Sequence, residues 1–183
     1  SQQVINDVIA QVGEVLNADV AALYVKDKQG DLDCQYIWSK NQSMSAEEYV
    51  TEWQRANMKF RSWQNGQGSG KLVDKGYLVI DAKHMDEAAK KIMSGGPVKS
   101  FTAVPVYVNG NYGAVFVLAN TSINKLWTTE EIEFVKQTGD VLRSALEKIE
   151  SDDSVKRINS VLLDTYNYID EGIFIREVDT GRV

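Results

Sequence analysis

The chain is poor in the residues that carry most enzyme chemistry. Its 183 residues include one cysteine, Cys34, and one histidine, His84. A single thiol excludes an internal disulfide and a thiolate metal cluster, and a lone imidazole has no partner for metal or triad chemistry. No Ser/His/Asp order, glycine-rich phosphate loop or metal-ligand spacing is present, so a protein without catalytic or metal-binding residues is expected. Basic residues are outnumbered, 20 against 26 acidic ones, for a net charge of −6 and a pI near 4.9. That balance argues against nucleic acid as a partner. No apolar run approaches the roughly 20 residues of a membrane-spanning helix, and no signal peptide is visible, although Ser1 does not read as a native start. Cytoplasmic location without membrane insertion is the default expectation, and no cofactor is named by these residues.

What is present suits a soluble globular domain, with 43% hydrophobic and 25% charged residues, enough for one core and an appendage. Val4, Ile5, Val8, Ile9, Val12, Val15 and Leu16 recur at helical spacing and predict a helix ending near Asn17. DVAALYVKD reads as a strand, DKQG as a turn and LDCQYIWS as the antiparallel partner. AEEYVTEWQRANMKFRSW reads as a helix with Ser45 as its N-cap and Tyr49, Trp53 and Phe60 near one face, followed by a flexible NGQGSG loop at 65–70. YLVIDA is a short strand, and HMDEAAKKIM a short helix stopped by Ser94-Gly95-Gly96-Pro97.

FTAVPVYVNGNYGAVFVLAN, residues 101–120, places two β-rich runs around an Asn-Gly pair, the strongest short hairpin signal. Both faces of this hairpin are apolar, so both need a cover. Thr128-Thr129-Glu130-Glu131 is a capping box that opens a long helix carrying Ile132, Val135, Leu142, Leu146 and Ile149. The order predicts an α+β fold: a central antiparallel sheet, the N- and C-terminal helices on one face, and the helical insert and its loop over the other. A face roofed by irregular segments favours a pocket.

From YLVIDAKHMDEAAKKIMSGGPVKSFTAVPVYVNGNYGAVFVLAN the chain resembles the GAF domain of bacterial sensory proteins: a strand ending in Asp81, a short helix, Ser100, Val104-Pro105, and a hairpin with Gly110 and Gly113. LWTTEEIEFVKQTGDVLRSALEK is similar to that family's closing helix, and the resemblance covers roughly 1–150. VLLDTYNYIDEGIFIREVDTGRV resembles the opening of a PAS domain. The expected organisation is therefore a GAF sensory domain at 1–150, a helical signalling linker at 151–165 and the start of a PAS-like domain at 166–183. Val155, Ile158, Leu162 and Thr165 in the linker alternate by three and four, as a coiled-coil seam does, and ESDDS just before them shifts the phase.

The resemblance implies a role and a set of site residues. Tyr36, Trp38, Trp53, Trp63, Phe101 and Phe116 are the candidate ligand-binding residues, on segments that line the pocket in that family. Arg61 and Lys71 nearby offer cations for an anionic group. Bilin-binding members attach their chromophore through a cysteine beside a histidine; no such pair exists here, so Cys34 is expected in the core and a photoreceptor is not expected. The family's redox enzymes need several cysteines. His84 is expected at the surface or as a helix cap, and Pro105 at a bulge or locally unpaired position. Against the cyclic-nucleotide motif of the family, Asn120 matches, but Thr121 replaces its Lys, Trp127 its Phe, and Glu131-Ile132 its Asp-Glu. With both charges altered, that motif's salt bridge is not expected.

The implied function is non-catalytic sensing of a small molecule, relayed by a homodimeric spine of terminal helices to downstream PAS and output domains of diguanylate cyclase, phosphodiesterase or histidine kinase type. A ligand-free dimerisation module and a small redox enzyme are the alternatives.

Overall fold

A computed structural model describes residues 1–41, 69–93 and 97–179, together with residues 48, 51 and 55. Trp53, Trp63, Arg61, Tyr49 and Phe60 lie outside the described residues, as does most of the expected glycine loop. The chain divides into two units, Ser1–Leu146 and Glu147–Val183.

The first unit opens with α1 (Gln2–Val15). Ile5, Ile9, Val12 and Leu16 form its buried seam, whereas Val4 and Val15 from the predicted stripe are exposed. The helix stops where Asn17 takes a left-handed φ of 53°, with its N–H on Glu14 O at 3.1 Å. Strands β1 (Val20–Lys26) and β2 (Leu32–Ser39) follow as the expected hairpin. The next element among the described residues is a helix, α2 (Ser69–Lys75), where loop was expected at its start. It is held by Leu72, which is buried, and ended by Gly76 at φ 75°, whose N–H reaches Leu72 O at 2.9 Å. Tertiary burial of one leucine outweighs the weak local propensity of Ser-Gly.

Strand β3 (Leu78–Ile80) leads through a turn to α3 (Glu87–Met93), which is capped by Asp86 Oδ1 accepting from Ala89 N at 2.7 Å. Strands β4 (Ser100–Val108) and β5 (Asn111–Asn120) turn at Asn109-Gly110, both with positive φ, 50° and 80°. Positive φ at both central residues is the type I′ pattern that matches strand twist. The last helix, α4 (Thr129–Asp179), begins at the predicted capping box, with Thr128 N to Glu131 Oε1 at 3.1 Å and Glu131 N to Thr128 Oγ1 at 3.2 Å.

The five strands form one antiparallel sheet in the order β2-β1-β5-β4-β3. Register aligns Leu23, Phe116 and Val104 across three strands, and Ala21, Leu118 and Thr102 beside them. This face carries the terminal helices: Gly13 of α1 lies against the Trp38 ring, and Gly139 of α4 against Val104 Cγ2. The opposite face holds Val20, Ala22, Phe101, Ala103, Val115, Val117 and Ala119, packed with Leu72 of α2, Ala89 of α3 and Val98. The α+β architecture with helices on both faces is thus as expected. Fully buried Phe101 and Phe116 lie on opposite faces, and each contributes about 1.5–3 kcal/mol by burial. Pro105 sits beyond Ala103, the last β4 residue that β3 pairs, so one flank of β4 is unpaired there, which a proline tolerates.

The second unit, over its described length, is the remainder of the α4 helical run. Val155, Ile158, Leu162 and Ile169 are exposed on it, and the helix passes through residues 150–154 and 166–179 without a break.

Among the described glycines, Gly13 makes the tightest helix-to-sheet approach. A Cβ there would stand 2.4 Å from Trp38 Cε3 and Cζ3. Gly13→Ala is therefore expected to lower unfolding free energy by about 1–3 kcal/mol in urea titration. That cost should shrink in a Trp38→Leu background; an equal cost in both backgrounds would contradict the contact.

Candidate functional site

Two features meet at the β3 edge of the sheet: a pocket on its outer side and a polar corner beneath the 121–128 loop. Asp81 connects them, holding His84 of the pocket lining on one side and Trp127 of the corner on the other.

The pocket has a volume of about 550 Å3 and is walled by α2, β3 and the turn that follows. Leu78, Ile80 and Met85 give it an apolar side, Tyr77 a half-buried aromatic one, and Lys71, Lys75 and Lys83 a cationic rim beside the His84 imidazole. Lys71 Nζ pairs with Asp86 Oδ2 at 2.7 Å. The α2 helix positions Lys71 and Lys75 four residues apart, one turn along the same side. The Tyr77 ring carries Lys136 of α4 4.9 Å from its centroid.

Asp81 ends β3 with its side chain fully buried on the helix face, where Ile80 on the other side joins the core. Its Oδ1 accepts from Lys83 N at 2.9 Å, His84 N at 3.0 Å and His84 Nδ1 at 2.7 Å. Its Oδ2 accepts from Trp127 N at 3.2 Å. Burial by itself raises the Asp81 carboxyl, but these hydrogen bonds, His84 first, and the His84 charge hold it below the ordinary 3.8. His84 is exposed at the surface, the first of its two expected placements, and is no helix cap: Asp86 caps α3, and His84 closes the turn around Asp81.

The corner continues across the strand ends. Asp19 Oδ2 accepts from Thr121 N at 2.8 Å, Ser122 N at 3.0 Å and Ser122 Oγ at 2.7 Å. Against the effect of burial, these bonds hold its carboxyl below 3.8. Asn120 Nδ2 donates to Asn17 O at 3.2 Å, closing β5 onto the end of α1. Lys125 Nζ pairs with Glu131 Oε2 at 2.6 Å, lies 4.4 Å from the Trp127 ring centroid, and donates to Leu16 O. The motif's own pair does not form, as expected with Thr121 in place of its Lys, but a substitute ion pair closes the corner. The cation comes from Lys125, four positions after the Thr121 that replaces the family's Lys, and the carboxylate from Glu131. Ser100 Oγ, Asn120 Oδ1 and Trp127 Nε1 are buried there without a hydrogen-bond partner among the described residues.

The described ligand candidates, Tyr36, Trp38, Phe101 and Phe116, do not share one face of the sheet; Trp53 and Trp63 lie outside the described residues. Gln35 is an extra residue between Cys34, opposite Tyr24, and Tyr36, opposite Leu23. This bulge flips the alternation of β2. Cys34 and Ile37 consequently join the α2–α3 face, while Tyr36 and Trp38 turn to the α1 face. Phe116 is on that α1–α4 face too, level with Val104. Of the four described candidates only Phe101 lies on the α2–α3 face, packed in its core. Cys34 is buried as expected, and burial pushes its thiol up to about 12, so it stays protonated. Lys71 does line the pocket. Lys75, Lys83 and Tyr77 were not singled out from sequence, although lysines on both sides of YLVID were a visible signal. Among the described residues no cluster of His, Cys, Asp or Glu could hold a metal ion, and no helix is long and apolar enough to cross a membrane.

Asp81→Asn should lose about 1.5–3 kcal/mol at pH 7, because the carboxylate receives charge-assisted bonds. A carboxyl held below 3.8 in the fold adds stability that is complete above that value and drains as pH falls through its folded pKa. The wild type should therefore lose stability below pH 3.8 more steeply than Asp81→Asn, measured by urea titration at stepped pH. Parallel curves would show that Asp81 is not the group responsible.

A family model for the GAF domain matches residues 1–146. No curated protein matches the chain. Among solved structures, GAF3 from Slr1393 of Synechocystis sp. PCC6803 in its photoproduct state is 13% identical, with a TM-score of 0.64, over 84% of this chain and 98% of that one. The phycocyanobilin-bound GAF domain of a cyanobacterial phytochrome is 15% identical, with a TM-score of 0.61, over 80% of this chain and 84% of that one. A domain assigned to a two-component sensor histidine kinase of Sinorhizobium meliloti 1021 is 12% identical, with a TM-score of 0.59, over 85% and 97%. At these identities the likeness is one of fold, and the family-model match over residues 1–146 carries the assignment: this chain belongs to the GAF domain family.

Proposed function

We propose that this GAF domain is a non-catalytic sensor whose ligand occupies the pocket beside β3 and acts on the start of α4. The observation that carries this reading is the bridge made by Asp81. One carboxylate oxygen holds His84, which lines the pocket, and the other holds the backbone of Trp127, two residues before α4. A second contact runs in parallel, from Tyr77 in the pocket wall to Lys136 on α4. A ligand that moves His84 or Tyr77 therefore changes the contacts that seat the first turns of α4. The corner has somewhere to go: three buried polar atoms lack partners among the described residues, so a rearrangement forfeits nothing at those atoms and can form new hydrogen bonds. A nucleophilic role is disfavoured by the protonated, buried Cys34 and by the engagement of His84 Nδ1 with Asp81.

Beyond Leu146 the α4 helix carries an apolar seam at Val155, Ile158, Leu162 and Ile169 that is exposed in a single chain. Spacings of three, four and seven fit a coiled coil of two copies, the homodimeric spine that delivers the signal. In this reading the residues that follow belong to a PAS-like module and an output domain, of diguanylate cyclase, phosphodiesterase or histidine kinase type, in a cytoplasmic protein. The structural neighbours include a domain assigned to a sensor histidine kinase, which supports that setting.

Two measurements test this. Sedimentation should find a dimer, and Ile158→Asp/Leu162→Asp should give a folded monomer; a monomeric wild type would remove the spine. A thermal-shift panel of nucleotides, amino acids and aromatic acids should yield a stabilising compound that slows amide exchange over residues 125–136. Stabilisation with exchange unchanged in that segment would refute the relay, and a panel without hits would favour a ligand-free dimerisation module.

A further inference from the structure

We infer that the β3-edge pocket takes a small organic anion, a carboxylate or phosphate group on an apolar body; this rests on the proposed sensing role and names its ligand class. Charge points to it first. Among the described residues the lining carries a formal charge of +2, from Lys71, Lys75 and Lys83 against Asp86, with His84 left out of the count. The whole chain has a net charge of −6, so this concentration of cations opposes the trend of the rest of the surface. A one-signed cleft focuses field lines and raises the local concentration of the opposite ion.

The distribution of partners sharpens the assignment. Lys71 is already neutralised by Asp86 at 2.7 Å. Lys75 and Lys83 form no ion pair among the described residues. Lys83 follows Asp81 by two residues, but it is the Lys83 backbone N–H that the carboxylate holds, which leaves the ammonium for another acceptor. His84 offers a further ring N–H donor or acceptor at the same rim, with Nδ1 fixed by Asp81. These groups can supply several donors to one anionic group.

Size and polarity exclude a bare inorganic ion as the best fit. A cavity of about 550 Å3 is in the range for a whole small molecule. Leu78 and Met85 pack against the hydrophobic core from this wall, and Ile80 belongs to that core. An anionic head at Lys75 and Lys83 with an apolar body on Leu78 and Met85 satisfies both sides; a neutral apolar compound leaves the cations uncompensated.

The test titrates the full chain with benzoate, phenyl phosphate and benzamide while following the amides of Leu78–Asp86 by NMR. At least one of the anions should shift these amides saturably, benzamide should not, and added salt should weaken the binding. The tighter of the two anions identifies carboxylate or phosphate as the head group. Lys75→Gln/Lys83→Gln should weaken binding about tenfold with an unchanged melting temperature. Benzamide binding as tightly as the anions, no response to either anion, or an unchanged affinity in the double variant would each overturn the assignment. If an anion binds but residues 125–136 do not respond, the ligand class stands and the relay falls. If benzamide binds equally and those residues do respond, the relay stands and the ligand class falls.

Discussion

The arrangement depends on one buried carboxylate. Asp81 closes an edge strand only three residues long, and everything at that end of the sheet is tied to it. It fixes the turn through two backbone N–H groups, orients the only histidine of the chain, and receives the backbone of Trp127 across 46 positions of sequence. An ionised carboxylate out of water costs several kcal/mol unless hydrogen bonds replace its hydration. Four donors do so here. Because those donors come from both the pocket wall and the approach to α4, neither side can move without affecting the bonds available to the other.

Trp127 receives more than the Asp81 contact. Lys125 stacks on its ring, pairs with Glu131, and reaches Leu16 at the end of α1. Glu131 in turn completes the capping box that starts α4. The Glu131 carboxyl, raised by burial, is brought below 4.5 by Lys125 and Thr128, so the box is ionised at neutral pH. The ends of both terminal helices and the ends of three strands therefore share one polar corner. The hairpin of β4 and β5 lies between its two covers: Phe116, Leu118, Val104 and Val106 sit under the helices, and Phe101, Ala103, Val115 and Val117 face α2 and α3.

Features encoded locally were legible in the sequence. The Asn-Gly turn requires two left-handed residues and has them, and the Thr128/Glu131 box needs only residues three apart. The α+β layering followed from the alternation of such elements. Features set by distant partners were not legible. Helix α2 forms because Leu72 finds a buried site, which a local reading of NGQGSG cannot show. The bulge at Gln35 sends Tyr36 and Trp38 to the α1 face, and no residue type in LDCQYIWS announces it. Nor does spacing reveal that Lys125 meets Glu131, since the intervening chain must bend around Trp127. The candidate site was legible only at Lys71 and in the recognition of a strand ending in Asp81; its other cations emerge once β3 is seen to be an edge with α2 beside it.

The central claim is that pocket and helix are joined through His84, Asp81 and Trp127. The Trp127 backbone amide reports this directly, because its hydrogen-bond acceptor is the carboxylate that His84 also touches. Its NMR shift should be followed during titration with benzoate or phenyl phosphate, in the wild type and in His84→Ala. The account predicts that the Trp127 amide moves in the wild type with the same midpoint as the pocket amides, and moves much less in His84→Ala while the pocket still saturates. A pocket that saturates in the wild type while the Trp127 amide stays fixed would contradict it.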